Sequence, residues 1–213
     1  MDQPPRELRL GKKTIFATTA TLLSRHRPIY RLKVKQSSLL SIIGLLFPRI
    51  KARWPGWFLP AEIIVKKMKE GWEQEFRTEI ATYKYLRPIQ GIIIPRFYGE
   101  AIYDGSPALV VAVVDGITLS QVARAIYTQH HYPIANLRGQ IEEALYTLWQ
   151  YGVEYLDGKL DNLFLLKDGR IMVIDLELVF LCTTKEWQET ENYEAVDYLM
   201  VDFETKKQMY LTS

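Results

Sequence analysis

Cysteine occurs once in the 213 residues, at Cys182, so no disulfide can close within the chain. Histidine is nearly as scarce: His26, His130 and His131 are the whole set, and no Cys/His cluster has zinc spacing. A histidine-based metal site is therefore not expected. No excess of one charge exists either, with 27 Lys+Arg against 25 Asp+Glu and a net charge of +2. Bulk attraction for a polyanion is absent, so no nucleic-acid partner is expected. The longest apolar run, Leu39 to Phe47, falls far short of the roughly 20 residues that span a bilayer, and it reads as a short helix ended by Pro48. No membrane span is expected, and the polar start Met1–Glu7 points to an intracellular, cytoplasmic location. What the chain does have is 48% hydrophobic and 12% aromatic residues, enough to bury a core and too much for a disordered tail.

Residues 1 to about 27 are poorly periodic and read as an extension or a loosely attached first strand. Ile29–Val34 is β-like, and Ser37–Phe47 is helical. Glu62 to Lys69 is a β-branched run suited to a half-buried strand. After Gly71, Phe76, Ile80, Tyr83 and Leu86 recur at spacings of four, three and three and predict a helix that Pro88 stops. Two strand-like segments follow, Gly91–Tyr103 and Ala108–Val114, joined by the hairpin signal Asp104-Gly105. Helices are expected at Thr118–Tyr127 and Leu137–Tyr151, then a hairpin of Leu163–Leu166 and Ile171–Ile174, and a terminal helix after Thr184. This order predicts an α+β fold in two lobes.

The stretch richest in chemistry runs from Tyr155 to Leu166, followed by Ile171-Met172-Val173-Ile174-Asp175-Leu176-Glu177. It offers a carboxylate at Asp157, a lysine two residues on at Lys159 and an amide at Asn162. A second carboxylate, Asp175, ends an apolar strand 13 residues after the amide. Phosphoryl transfer needs such a set. One carboxylate accepts a hydroxyl proton, a cation meets the charge of the moving phosphoryl group, and hard oxygen ligands hold Mg²⁺.

The pattern resembles the catalytic core of the protein-kinase superfamily, His-Arg-Asp-Leu-Lys-x-x-Asn, then a hairpin, then Asp-Phe-Gly. Its flavour is most similar to fungal protein-kinase-like domains. The resemblance implies Asp157 as catalytic base, Lys159 as the lysine near the transferred phosphate, and Asn162 and Asp175 as ligands of Mg²⁺, with ATP as the nucleotide. It further implies a strand lysine held by a helix glutamate, for which Lys66 and Glu79 are suited. Lys67 competes with Lys66, although neighbouring strand residues point to opposite faces. A hinge near Ala112–Gly116 would bind adenine.

The implied organisation is an extension and first part of the N-lobe at 1–61, the N-lobe core at 62–115, and a shortened, mainly helical C-lobe at 116–213. Departures from the family pattern are specific. No Gly-x-Gly-x-x-Gly occurs, Tyr155-Leu156 replaces His-Arg, Leu176-Glu177 replaces Phe-Gly, and 38 residues follow Asp175. The expected activity is transfer of the γ-phosphate of ATP to a hydroxyl acceptor, on a protein or a small molecule. The alternative is a catalytically weak or inactive pseudokinase that serves as a nucleotide-binding or interaction module. A small-molecule kinase comes third, because Lys159 is the protein-kinase residue at that position.

Overall fold

The structure is a computed structural model of the chain, and it describes residues 7–24, 27–35, 55–125, 136–181 and 185–211 with positions 46, 49 and 134. The expected helix Ser37–Phe47, apart from Leu46, lies outside the described residues, as do Cys182 and all three histidines. Two compact units are present. The first comprises Met1–Ile80 with Arg96–Val113, and the second Ala81–Pro95 with Val114–Ser213.

The first unit is built on six antiparallel strands: β1 (Glu7–Leu10), β2 (Lys13–Leu22), β3 (Ile29–Val34), β4 (Glu62–Lys67), β5 (Phe97–Tyr103) and β6 (Ser106–Ala112). They close into a barrel in the order β1-β2-β3-β4-β6-β5, with β5 returning to β1. Period-two side-chain alternation explains the closure. Each strand sends two residues, two apart, to one buried cluster: Leu8 and Leu10, Ile15 and Ala17, Leu32 and Val34, Ile63 and Val65, Ala101 and Tyr103, Ala108 and Val110. Alanines at three of the twelve positions leave room for the ring of Tyr103, which meets Tyr30 edge-on at 5.0 Å. At the β5–β6 turn, Asp104 (φ 50°) and Gly105 (φ 70°) are both left-handed, as the expected two-residue hairpin requires.

The N-terminal residues differ from expectation. Instead of an extension or a loosely attached first strand, Glu7–Leu10 and Lys13–Leu22 form two strands paired into the barrel, with one register irregularity between Ala17 and Thr19. The β2 pattern hid this, because Phe16 faces outward and is exposed while the small Ala17 points in. Helix α1 (Glu73–Tyr85) follows β4 and matches the apolar stripe at Phe76, Ile80 and Tyr83. The expected strand from Gly91 begins only at Phe97, since residues 91–93 form a turn and Ile94 makes an isolated bridge with Gln90.

In the second unit, α2 (Leu119–Ala125) and α3 (Leu137–Gln150) both pack on the long α4 (Lys185–Leu211). Ile141, Leu145 and Leu148 of α3 and Val196, Leu199 and Phe203 of α4 are buried at helical spacing. Five short strands complete the unit: β7 (Gly116–Thr118), β8 (Val153–Tyr155), β9 (Leu163–Leu166), β10 (Ile171–Val173) and β11 (Val179–Leu181). They form a β10-β9-β7 sheet and a β11-β8 pair. Gly116 permits the first, because a Cβ there would lie 2.6 Å from the Leu165 carbonyl oxygen. Among the described residues no helix is long and apolar enough to cross a membrane.

Burial pushes the Tyr103 hydroxyl up to about 12, with repulsion from the negative charges of Tyr30 (when ionised) and Asp104 adding to the effect. An unfolded chain ionises this group near 10, so the fold gains its full benefit below pH 10 and loses it as pH rises toward 12. Urea midpoints are expected to fall over that interval, and Tyr103→Phe should flatten the decline.

Candidate active site

Two groups of the charged and polar residues singled out in the sequence are held together by side-chain contacts, one in each unit. In the first unit, β4 ends on two lysines that diverge. Lys66 Nζ reaches Glu79 Oε2 of α1 at 2.7 Å, with the glutamate almost fully buried. Lys67 instead meets Asp104 at 2.8 Å, and that carboxylate is exposed. Strand alternation separates them: β4 pairs with β3 and β6 on either side, so adjacent lysines leave by opposite faces. A buried ion pair is retained only where its geometry is good, because both charges have left water. The Lys66–Glu79 pair therefore holds the tip of a mostly buried lysine in one place.

In the second unit the chain runs from β8 through residues 156–159 into a single 3-10 turn at Leu160–Asn162, and then into the β9–β10 hairpin. Leu160 and Leu163 are completely buried and anchor the turn from below. Asp157, only 4% exposed, is gripped by its own loop. Asn162 Nδ2 donates to Oδ2 at 2.7 Å and to the Asp157 carbonyl at 3.2 Å. Lys159 Nζ lies 2.5 Å from Oδ1, although its side chain is mostly in solvent. The backbone tightens the same loop through Lys159 N–H to Asp157 O and Asn162 N–H to Lys159 O.

The hairpin carries the loop to Asp175. Leu163 pairs with Val173, and one step beyond, Ile174 N–H donates to the Asn162 carbonyl at 2.9 Å. Asp175 follows directly, buried, with a left-handed backbone at φ 63°. At the hairpin turn the Arg170 guanidinium bonds Asp168 and holds its carboxyl below the usual carboxylate range.

Hard oxygen donors suit a divalent cation. Asn162 turns Nδ2 to Asp157, which leaves Oδ1 on the other side of the amide. Asp175 supplies a carboxylate, and the buried Glu177 places another within 4.8 Å of it. Oxygens of this hardness are of the kind that Mg²⁺ takes. Glu177 was legible in the sequence only as the residue standing where a glycine is usual; its burial beside Asp175 is tertiary information.

No family model matches the chain, and no curated protein matches it. Among solved structures it is similar to the Mycobacterium tuberculosis PknI kinase domain (a C20A mutant), with a TM-score of 0.51 and 16% identity. The match covers 79% of this chain and 62% of that kinase domain. At this identity the likeness establishes the fold: the chain has a protein-kinase-like fold of mixed helix and strand.

Removing Glu79 takes a 2.7 Å carboxylate partner from the mostly buried Lys66 ammonium. Glu79→Ala is expected to lower unfolding free energy by about 3 kcal/mol in urea titrations. Glu79→Gln, whose amide oxygen can still accept from Nζ, should cost clearly less.

Proposed function

We propose that this protein is an ATP- and Mg²⁺-dependent phosphotransferase of protein-kinase type, acting on a hydroxyl acceptor. The observation that carries the proposal is the buried linkage Asp157–Asn162–Ile174–Asp175, in a chain whose fold is kinase-like. In this reading Asp157 orients the acceptor hydroxyl and takes its proton, with Asn162 holding the carboxylate that receives it. Lys159, tethered to Asp157 and otherwise in solvent, steadies the γ-phosphate of the bound nucleotide. Asn162 Oδ1 and Asp175, with Glu177 close by, hold the cation. Bound Mg²⁺ would supply charge neutralisation for the transferring phosphoryl group. Lys66, kept in place by Glu79, positions the α- and β-phosphates.

The same reading assigns the second unit to the C-lobe and the barrel to the N-lobe of such an enzyme. The Ile174-Asp175-Leu176-Glu177 wording makes fungal protein-kinase-like domains the natural group for comparison. One sequence feature favours a second reading, a pseudokinase that binds nucleotide or a protein partner without turnover: Gly-x-Gly-x-x-Gly is absent. Backbone amides that close over phosphates in active kinases then have no equivalent motif.

Two substitutions separate these readings. Asp175→Asn keeps a residue that tolerates left-handed backbone and removes only the charge, so the Mg²⁺-dependent thermal shift with ATP should disappear. Asp157→Asn should leave that shift in place while lowering phosphoryl transfer on the order of 10²–10³-fold. A shift that persists in Asp175→Asn would remove Asp175 from the cation site. A wild-type shift without any ATP turnover would support the pseudokinase.

A further inference from the structure

We propose that Tyr155 is a positioning residue that holds Asp175 in its left-handed conformation through one hydroxyl, and so sets the direction of the carboxylate assigned to Mg²⁺. Its consequence for the cation rests on the phosphotransferase reading; the conformational claim does not. The starting observation is the backbone of Asp175, at φ 63°, a region that residues with a side chain rarely occupy. Such a conformation persists only where the surroundings over-determine it.

The constraints converge on the peptide just before it. Tyr155 Oη donates to the Ile174 carbonyl at 2.9 Å, and Ile174 N–H donates to the Asn162 carbonyl at 2.9 Å. The Ile174 C=O and the Asp175 N–H belong to one planar unit. Fixing the direction of that carbonyl therefore fixes one of the two planes that define φ at Asp175. Downstream, the Leu176 side chain is fully buried and anchors the other side.

Tyr155 also grips the segment from its far end. Its backbone pairs with Val179 in the β8–β11 ladder, and the next residue, Leu156, donates its N–H to the Leu178 carbonyl. The stretch 175–178 is thus a short arch whose two feet both rest at Tyr155, one on the side chain and one on the strand. The ladder foot would survive any side-chain change. The hydroxyl foot would not, and it is the one next to Asp175.

Tyr155→Phe keeps the buried ring and deletes that single donor. With ATP fixed and MgCl₂ titrated, the thermal shift of the variant should need about tenfold more Mg²⁺ for half effect, the size typical of losing a partner behind a metal ligand. Turnover should recover at saturating Mg²⁺, a pattern that mere loss of stability would not give. Amide hydrogen exchange at 175–177, measured without nucleotide, should accelerate in Tyr155→Phe while exchange in β9 stays unchanged. An unaltered Mg²⁺ requirement in a wild type that binds Mg·ATP overturns the proposal. If the wild type shows no Mg·ATP shift, the phosphotransferase reading falls by itself. Exchange then decides the clamp: faster exchange at 175–177 upholds it, and unchanged exchange overturns it.

Discussion

The side-chain amide of Asn162 is the constraint on which the loop after β8 depends. Its Nδ2 holds Asp157, and its backbone carbonyl holds Ile174, so one residue ties the loop after β8 to the strand before Asp175. A carboxylate as deeply buried as Asp157 must be hydrogen-bonded, since an unsatisfied buried group of this kind costs about 1–3 kcal/mol or more. Asn162 satisfies that requirement and, by the same act, turns its own oxygen away from Asp157. Stability and the direction of a donor atom follow from one orientation of one amide.

The first unit solves a different problem. A closed barrel has no free edges, and its interior is filled by two residues from each strand. That rigidity matters for Lys66, which sits on β4 between β3 and β6. A long flexible side chain gains a defined position only if its base is fixed and its tip is held, and Glu79 holds the tip. Buried pairs of this kind contribute little net stability, so the arrangement is better understood as orientation than as cohesion.

Much of this was written plainly in the sequence. The α1 stripe, the Asp104-Gly105 turn and the helices near residues 119 and 137 follow from spacing and turn chemistry, which act locally. Asp157, Lys159, Asn162 and Asp175 stood out because their residue types and intervals suit phosphoryl transfer, and Lys66 and Glu79 only through the resemblance to the protein-kinase pattern. The entry strands were not legible, since β2 offers Ile15 and Ala17 to the interior but also shows a large Phe16 outside, which blurs a period-two pattern. Strands β7, β8 and β11 have three residues each, too few for any periodicity to register. The left-handed Asp175 and the hydroxyl contact of Tyr155 arise from long-range packing, and no local signal announces them.

The β9–β10 register carries one more implication. Asn162 and Ile174 face each other because Leu163 pairs with Val173, and that pairing is counted from the strands rather than from the turn. The interval of 13 residues between Asn162 and Asp175 is therefore an accident of a tight turn at 167–170, whose Lys167 and Asp168 side chains are largely in solvent. A relative with a longer turn could keep the same juxtaposition at a different interval, and a motif search with fixed spacing would pass it by. For the same reason the exposed step between Lys167 and Asp168 is where a fluorophore or an inserted peptide could be carried with the ladder left intact.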